Sequence, residues 1–345
     1  MGEARWHRHV GRKLPGRRFG LPRLGLPVPR LGLPRTRSGR LAAALAVVAV
    51  ALPGSTGCTT EAAEPTRLRI ATGSATAVYY AVGQSLAGIL NRELPDVTAS
   101  VVVTAASAEN VSLVRAGRAE LGFTQADILA TEPDQRVGLS AVARVYDDLL
   151  HLVTLSQQPI RRLTDLTGKR VAIGAPGSGT AVTAERLLDV AKVDDKLAET
   201  LRLGIDDSVA ALRAGRIDAF FFSGGLPVKA VADFAAQTRA RFVDLGQWVE
   251  PLRRSYREVY VQRDIPASAY GSAPVTTVAV PNYLVVATNL PEQLVYDVTR
   301  LLMQRRDELS SAHPAAARLN VQSAITTTPL ALHPGAARYY QTHKP

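Results

Sequence analysis

The chain has 345 residues, 46% of them hydrophobic, and 41 Lys and Arg against 30 Asp and Glu give a formal charge of +11. Eleven of those basic residues fall in residues 1–40 beside a single acid, Glu3, so the rest of the chain holds 30 basic and 29 acidic side chains. A nucleic-acid-binding domain carries its basic charge on the folded part, so that class is excluded, and the single cysteine, Cys58, excludes an internal disulfide framework.

In chain order, the basic block runs into LAAALAVVAVALPGSTGC, Leu41–Cys58. A positive segment, a short apolar run and small residues before a cut site describe an export signal, here residues 1–57. The apolar run Leu41–Leu52 is shorter than the ~20 residues of a spanning helix. Cys58 follows Gly57 in a setting that resembles the lipobox of bacterial lipoproteins, although Ser55 stands where Leu is usual. The expectation is lipidation at Cys58 and a tether over residues 58–66. The protein would then lie on the outer face of the cytoplasmic membrane.

From Arg67 onward, apolar runs alternate with helical patterns. Strands are expected at Leu68–Ala71, Ala99–Val103, Leu121–Phe123, Ala141–Tyr146, Leu150–Leu155, Arg170–Ile173, Ile217–Phe222, Arg241–Val243 and Thr277–Thr288. Many are continuously apolar, as in parallel strands covered on both faces. Val82, Leu86, Ile89 and Leu90 recur at helical spacing, as do Ala184, Leu187, Leu188 and Ala191. Asp206–Ser208 read as an N-cap, and Leu163–Leu166 before Gly168 as a short helix with a glycine stop.

The chain also repeats itself. GSATAV (Gly73–Val78) and GSGTAV (Gly177–Val182) each follow a strand and open a helix. VRAGRAELGF (Val114–Phe123) and LRAGRIDAFF (Leu212–Phe221) follow in the same order. The fold expected is α/β, with two Rossmann-like lobes and a two-segment hinge near Leu152–Ser156 and Thr276–Tyr283. Lobe I takes residues 67–153 and 277–345, and lobe II takes residues 154–276.

Small-residue loops that open helices offer backbone N–H groups to an anion. APGSGT (Ala175–Thr180) is the sharpest such loop, with Gly177, Ser178, Gly179 and Thr180 as candidate contacts. It lacks the Lys of a phosphate-binding P-loop and the pattern of a dinucleotide site. Its partner loop supplies Gly73, Ser74, Thr76 and Tyr79 or Tyr80. Ser107 and Asn110 follow one strand, Gln125 and Asp127 another, and Ser223 and Gly224 a third; strand C-terminal ends are where open α/β sheets bind ligands. Each has a plainer alternative as a turn, cap or core residue. No metal-spaced His/Cys set and no Ser/His/Asp set stands out, so neither a metal, a cofactor nor an enzyme activity is expected.

Taken together, ATGSATAVYY, ASAENV, RAGRAELGFTQAD, GKRVAIGAPGSGT, RAGRIDAFFFSGG and TVAVPNYLVV resemble the TAXI family of solute receptors, which serve tripartite ATP-independent periplasmic (TRAP) transporters. The resemblance runs from about Leu68 to Leu302. It implies a type II periplasmic-binding-protein fold, a monomer, that closes on a small organic anion such as a dicarboxylate or a glutamate-like amino acid. It also implies delivery to a TRAP-type membrane permease. A receptor of the same fold acting on a sensor kinase is the alternative. The first loop departs from the family, which has TGGTGG where Ser74, Ala75, Thr76 and Ala77 stand here.

Overall fold

The computed structural model describes residues 65–130, 133–257 and 259–343. The expected export signal, Cys58 and the tether up to residue 64 lie outside the described residues. In chain order the elements are β1 (Thr66–Ala71), α1 (Val78–Glu93), β2 (Val97–Val102), α2 (Ser107–Arg115), β3 (Leu121–Gln125), α3 (Ala126–Ala130) and β4 (Leu139–Leu155). There follow β5 (Arg170–Ala172), α4 (Gly179–Ala191), β6 (Glu199–Leu201), α5 (Ile205–Arg213), β7 (Ala219–Gly224), α6 (Lys229–Gln237), β8 (Ala240–Phe242) and α7 (Val249–Tyr256). The last are β9 (Val261–Ile265), α8 (Ala267–Tyr270), β10 (Val275–Ala287), α9 (Glu292–Gln304), α10 (Arg306–Ala312), α11 (Val321–Ala324) and α12 (Pro334–Thr342). Among the described residues, no helix is long and apolar enough to cross a membrane.

The strands form one sheet in the order β2-β1-β3-β10-β4-β7-β5-β6, with β8 on β4 and β9 on β10. At one end β1 runs parallel to β2 and β3, and at the other β5 runs parallel to β6 and β7. Beside each parallel trio lies an antiparallel strand that comes from the other half: β10 on β3, and β4 on β7. The expected α/β class is what the chain adopts, with one parallel trio in each half and two long antiparallel strands between them. The lobe boundaries drawn at residues 153/154 and 276/277 fall inside β4 and β10, the two strands shared by both halves.

The internal repeat is structural. Arg69 donates through Nη2 to Glu120 Oε1 (2.6 Å) and to the Gly117 carbonyl (2.8 Å). Arg170 donates in the same way to Asp218 Oδ1 (2.9 Å) and to the Gly215 carbonyl (2.9 Å). Gly117 and Gly215 hold positive φ (65° and 68°) just past α2 and α5, where a left-handed residue ends a helix. The same turn therefore follows α2 and α5, with the glycine of each RAGR at its centre.

The equivalence of the two glycine loops differs from the literal match. β1 ends at Ala71 and α1 begins at Val78, while β5 ends at Ala172 and α4 begins at Gly179. Both spacings give an offset of 101 residues, as do Arg69 and Arg170. GSATAV and GSGTAV match at an offset of 104, so they align three residues out of structural register. Counted from the strand ends, Ala77 corresponds to Ser178 and Thr76 to Gly177.

Three apolar clusters build the core. One packs Leu68 and Ile70 of β1 and Val82, Leu86 and Leu90 of α1 against α9 and α12. A second packs Phe220 of β7 with Ile205, Val231, Phe234 and Phe242. The third spans both halves, from Val111 and Leu129 through Leu150 and Phe221 to Tyr260. Burying such side chains is worth ~1.5–3 kcal/mol each against leaving them exposed. α5 begins at Ile205 with Gly204 as its N-cap, so Asp206 and Asp207 lie in its first turn and do not cap it. There they favour the positive end of the helix dipole.

Candidate functional site

A cavity of about 470 Å³ lies between the two halves. Its walls are helix starts. Tyr79 of α1, Ser107 of α2, Gly179 and Thr180 of α4, Gly204 and Ile205 at the start of α5, and Val228 and Lys229 at the start of α6 all line it. Ser178 caps α4 by accepting the Ala181 N–H (3.1 Å), while α1, α2, α5 and α6 have no side-chain cap. Helix N-termini carry unpaired N–H groups and the positive end of the dipole. Five of them, drawn from both halves, surround this space.

Most of the expected contacts meet here. Ser74, Thr76, Tyr79, Ser107, Gln125, Ser178, Gly179, Thr180, Ser223 and Gly224 line the cavity. Tyr79 stacks on Phe123 (centroids 5.3 Å apart) and approaches Ser107 Oγ with its hydroxyl (3.2 Å), while also donating to Asn282 Oδ1. Ser107 Oγ accepts the Gln125 N–H (3.2 Å), and Thr180 Oγ1 accepts the Ser223 N–H (3.0 Å).

Five expected contacts stand elsewhere. Gly73 is buried against Tyr79 and Ala106. Tyr80 turns from the cavity and accepts from Gln84 Nε2 at the surface. Asn110 holds the loops from behind, donating to the Thr72 and Phe123 carbonyls and accepting from Thr104 Oγ1. The Gly177 carbonyl accepts the Ala108 N–H (3.1 Å), a bond between the halves. Asp127 is fully buried in α3 and faces α4, where Thr183 Oγ1 donates to it (2.8 Å). Tyr260 donates to the same oxygen (3.2 Å), and Arg186 Nη1 lies 3.7 Å from it. Burial raises the Asp127 carboxyl above its ordinary range, against the pull of Arg186. Its partner is the other half of the protein, so it is no free counter-charge for a ligand amine.

The halves also touch through Thr76 Oγ1, which donates to Asp206 Oδ2 (3.0 Å), and through Gln125 Nε2, which donates to Ser223 Oγ (2.6 Å). This is a closed arrangement around the cavity.

The sequence reading missed Tyr146 and Asp148, which also line the cavity. It broke the strand at Tyr146 and resumed at Leu150, because Asp147–Asp148 interrupt an apolar run. In the structure β4 continues through them, and the side chains alternate. Asp147 pairs with Arg144 (2.5 Å) and Arg263 (2.9 Å), while Asp148 accepts from Gln125 Nε2 (2.9 Å). The period-2 spacing of Tyr146 and Asp148 was the signal that places both on one face. Burial pushes the Asp148 carboxyl up to about 7, against the opposing pull of the Gln125 and Asn282 amides. Lys229, which is exposed, pairs with Asp233 (2.7 Å). His313, also at the cavity wall, is held low by burial. Among the described residues, no group of three or more His, Cys, Asp or Glu is placed to hold a metal ion.

The model of the NMT1-like family matches residues 70–342, which takes in every residue of this site. The chain belongs to the NMT1-like family. Solved structures similar to this NMT1-like chain include the periplasmic aliphatic sulphonate binding protein SsuA of Escherichia coli. It is 17% identical over 81% of this chain and 84% of that one, with a TM-score of 0.48. A putative L-cystine ABC transporter protein of Listeria monocytogenes is 14% identical over 72% and 94%, with a TM-score of 0.49. The alkanesulfonate-binding protein SsuA of Xanthomonas axonopodis pv. citri, bound to MOPS, is 17% identical over 82% and 86%, with a TM-score of 0.45.

Proposed function

We propose that the chain is an exported solute receptor that captures a small carboxylate between its two sheet halves and hands it to a membrane permease. The observation that carries this reading is the convergence of five helix N-termini, from both halves, on one cavity. An anion there gains from N–H donors and dipoles that are already in place and need no reorganisation. Hydroxyls of Ser107, Thr180 and Ser223 add neutral donors at the same surface. Only the closed form presents both sets of donors, so ligand stabilises closure through its differential affinity for the two forms. The halves are joined by β4 and β10, and a hinge motion bends there.

The ligand class is a dicarboxylate or a glutamate-like amino acid, bound stoichiometrically and released unchanged. The partner is a TRAP-type permease, which the resemblance of the loop motifs supports. Lipidation at Cys58 tethers the receptor to the outer face of the cytoplasmic membrane. The test is calorimetry of the full chain with dicarboxylates, 2-oxo acids and amino acids. One-to-one binding is expected, lost in Ser178→Tyr, which fills the cavity at the α4 N-terminus. Binding that survives that substitution unchanged removes the cavity assignment. Uptake driven by an ion gradient without ATP, in vesicles holding the cognate permease, tests the partner.

A further inference from the structure

The floor of the cavity is not built for a plain anion. Alongside the Asn282 amide nitrogen, which draws on the Asp148 carboxyl, Asp148 Oδ1, Gln125 Oε1 and the Tyr146 hydroxyl are buried and have no hydrogen-bond partner. The three residues are 5%, 1% and 3% exposed, and all three line the cavity. The Gln125 orientation follows from its neighbours, since a carboxylate oxygen of Asp148 requires the amide nitrogen to face it. That leaves Asp148 Oδ1 and the Tyr146 hydroxyl at the cavity floor, with Gln125 Oε1 set against Gly179 of α4. A buried acceptor without a donor costs about 1–3 kcal/mol, and more when it is charged. Such a cluster persists at a site where something else supplies the donors.

We propose that Asp148 is the cation-reading pole of this cavity. It pairs with the protonated amine of a zwitterionic, amino-acid-like ligand whose carboxylate lies at the helix N-termini. This rests on the receptor reading and narrows its ligand class. An ammonium has N–H donors for Asp148 Oδ1 and the Tyr146 oxygen. A plain dicarboxylate brings no donor to these atoms and sets a like charge against a desolvated carboxylate, which disfavours it. Asp127, the other buried acid nearby, does not line the cavity, and Thr183, Tyr260 and Arg186 all engage its Oδ2. Tyr79, Tyr146, Phe222 and Ile205 supply apolar wall for the ligand's body.

Proton balance gives a second signature. The groups that titrate around Asp148 are Asp147, Asp127, Tyr79 and Tyr146. Lys229 and His313 line the same cavity. With its carboxyl raised to about 7, Asp148 carries a proton in part of the free protein at neutral pH. Pairing with an ammonium requires the carboxylate, so that proton passes to the buffer.

The experiment is calorimetry of the full chain with matched pairs: L-glutamate against 2-oxoglutarate, and L-leucine against 4-methyl-2-oxopentanoate. The expected result is that one amino acid binds at least 100-fold more tightly than its 2-oxo partner. Titrations at pH 7 in buffers of different ionisation enthalpy should show net proton release of up to one. Asp148→Asn should lose both the discrimination and the proton release. A 2-oxo acid that binds as tightly as its amino acid overturns the proposal and leaves the receptor reading standing. Discrimination that survives in Asp148→Asn does the same. Silence of both members of both pairs removes the receptor reading, and the proposal with it. The wild-type pairs and the proton count need no variant, so a variant that fails to fold does not blunt the test.

Discussion

Gly179 of α4 lies against Gln125 of β3 so closely that a Cβ at position 179 would sit 1.9 Å from Gln125 Oε1 and 3.0 Å from Ser107 Oγ. These two residues belong to opposite halves, and their approach closes one side of the cavity. Only a residue without a side chain permits it.

Gly179→Ala therefore blocks the closed arrangement without touching either core. The expected outcome is a ligand affinity lowered at least 100-fold, with a larger radius of gyration in the presence of ligand than wild type shows. Gln125 must leave its hydrogen bonds to Asp148 and Ser223 to make room, so the loss falls on the cavity. Titration calorimetry and small-angle scattering measure the two effects. Wild-type affinity in Gly179→Ala contradicts the contact.

The pair Asp127 and Arg186 ties α3 of one half to α4 of the other. Asp127 is fully buried and the Arg186 side chain is 13% exposed. Arg186 also donates to the Asp127 carbonyl (2.9 Å) and to Tyr260 Oη (3.0 Å). Removing one partner of a buried pair leaves an uncompensated charge at a cost of about 3–5 kcal/mol. Arg186→Met should be destabilised by that order in urea unfolding. The double variant Asp127→Asn/Arg186→Met should recover a large part of the loss, since no charge is then stranded. Equal stability of the single and double variants rules out the pair as described.

Much of this architecture was legible beforehand. The two loops, the two RAGR turns and the long return strand near Pro281 were read from pattern, because strand–helix alternation is a strong local signal. The register of the loops was not. GSATAV and GSGTAV match by composition, whereas the fold counts residues from the strand end, where Arg69 and Arg170 make the same bonds. Asp127 was readable as a polar residue after a strand, but its partner Arg186 lies 59 residues away and only tertiary contact reveals it. Asp148 was hidden for the opposite reason. Two adjacent acids read as a break in an apolar strand, when one faces a pair of arginines and the other the cavity.

The pH dependence of stability should show Asp148 and His151 pulling in opposite directions. The Asp148 carboxyl is raised from 3.8 to about 7, so between these values the folded state holds more protons than the unfolded one. Its contribution is present at low pH and is lost as pH rises through 7. Burial lowers His151 from 6.5 to about 4. There the unfolded state holds more protons, so stability is lost as pH falls from 6.5 towards 4. His151 Nε2 accepts from the Tyr270 hydroxyl (2.8 Å), which in turn accepts the Val228 N–H (3.0 Å), so a neutral ring is built into the wall behind α6. Asp148→Asn should match wild type at pH 4.5 and exceed it at pH 8, by an amount on the order of a few kcal/mol. An Asp148→Asn variant that parallels wild type at every pH contradicts the burial argument.

Ala106 gives the last prediction. It is the N-cap of α2 and lines the cavity, and its backbone holds φ 89° and ψ −140°. Glycine occupies that region freely, whereas a residue with a Cβ is strained there by about 1–3 kcal/mol. The strain is held by the surroundings: the Ala106 N–H donates to Thr104 Oγ1 (2.9 Å), and its carbonyl accepts the Asn110 N–H (2.9 Å). Its Cβ also packs 3.5 Å from the place a Cβ would take on Gly73. Ala106→Gly relieves the strain but adds about 0.5–1 kcal/mol of chain entropy to the unfolded state. The expected net effect is a stabilisation of up to about 1–2 kcal/mol in urea unfolding, because strain relief is the larger of the two. Ala106→Val, with a branched side chain at the same φ, should be destabilised by more than that. If glycine is the less stable residue at 106, the strain is not stored there.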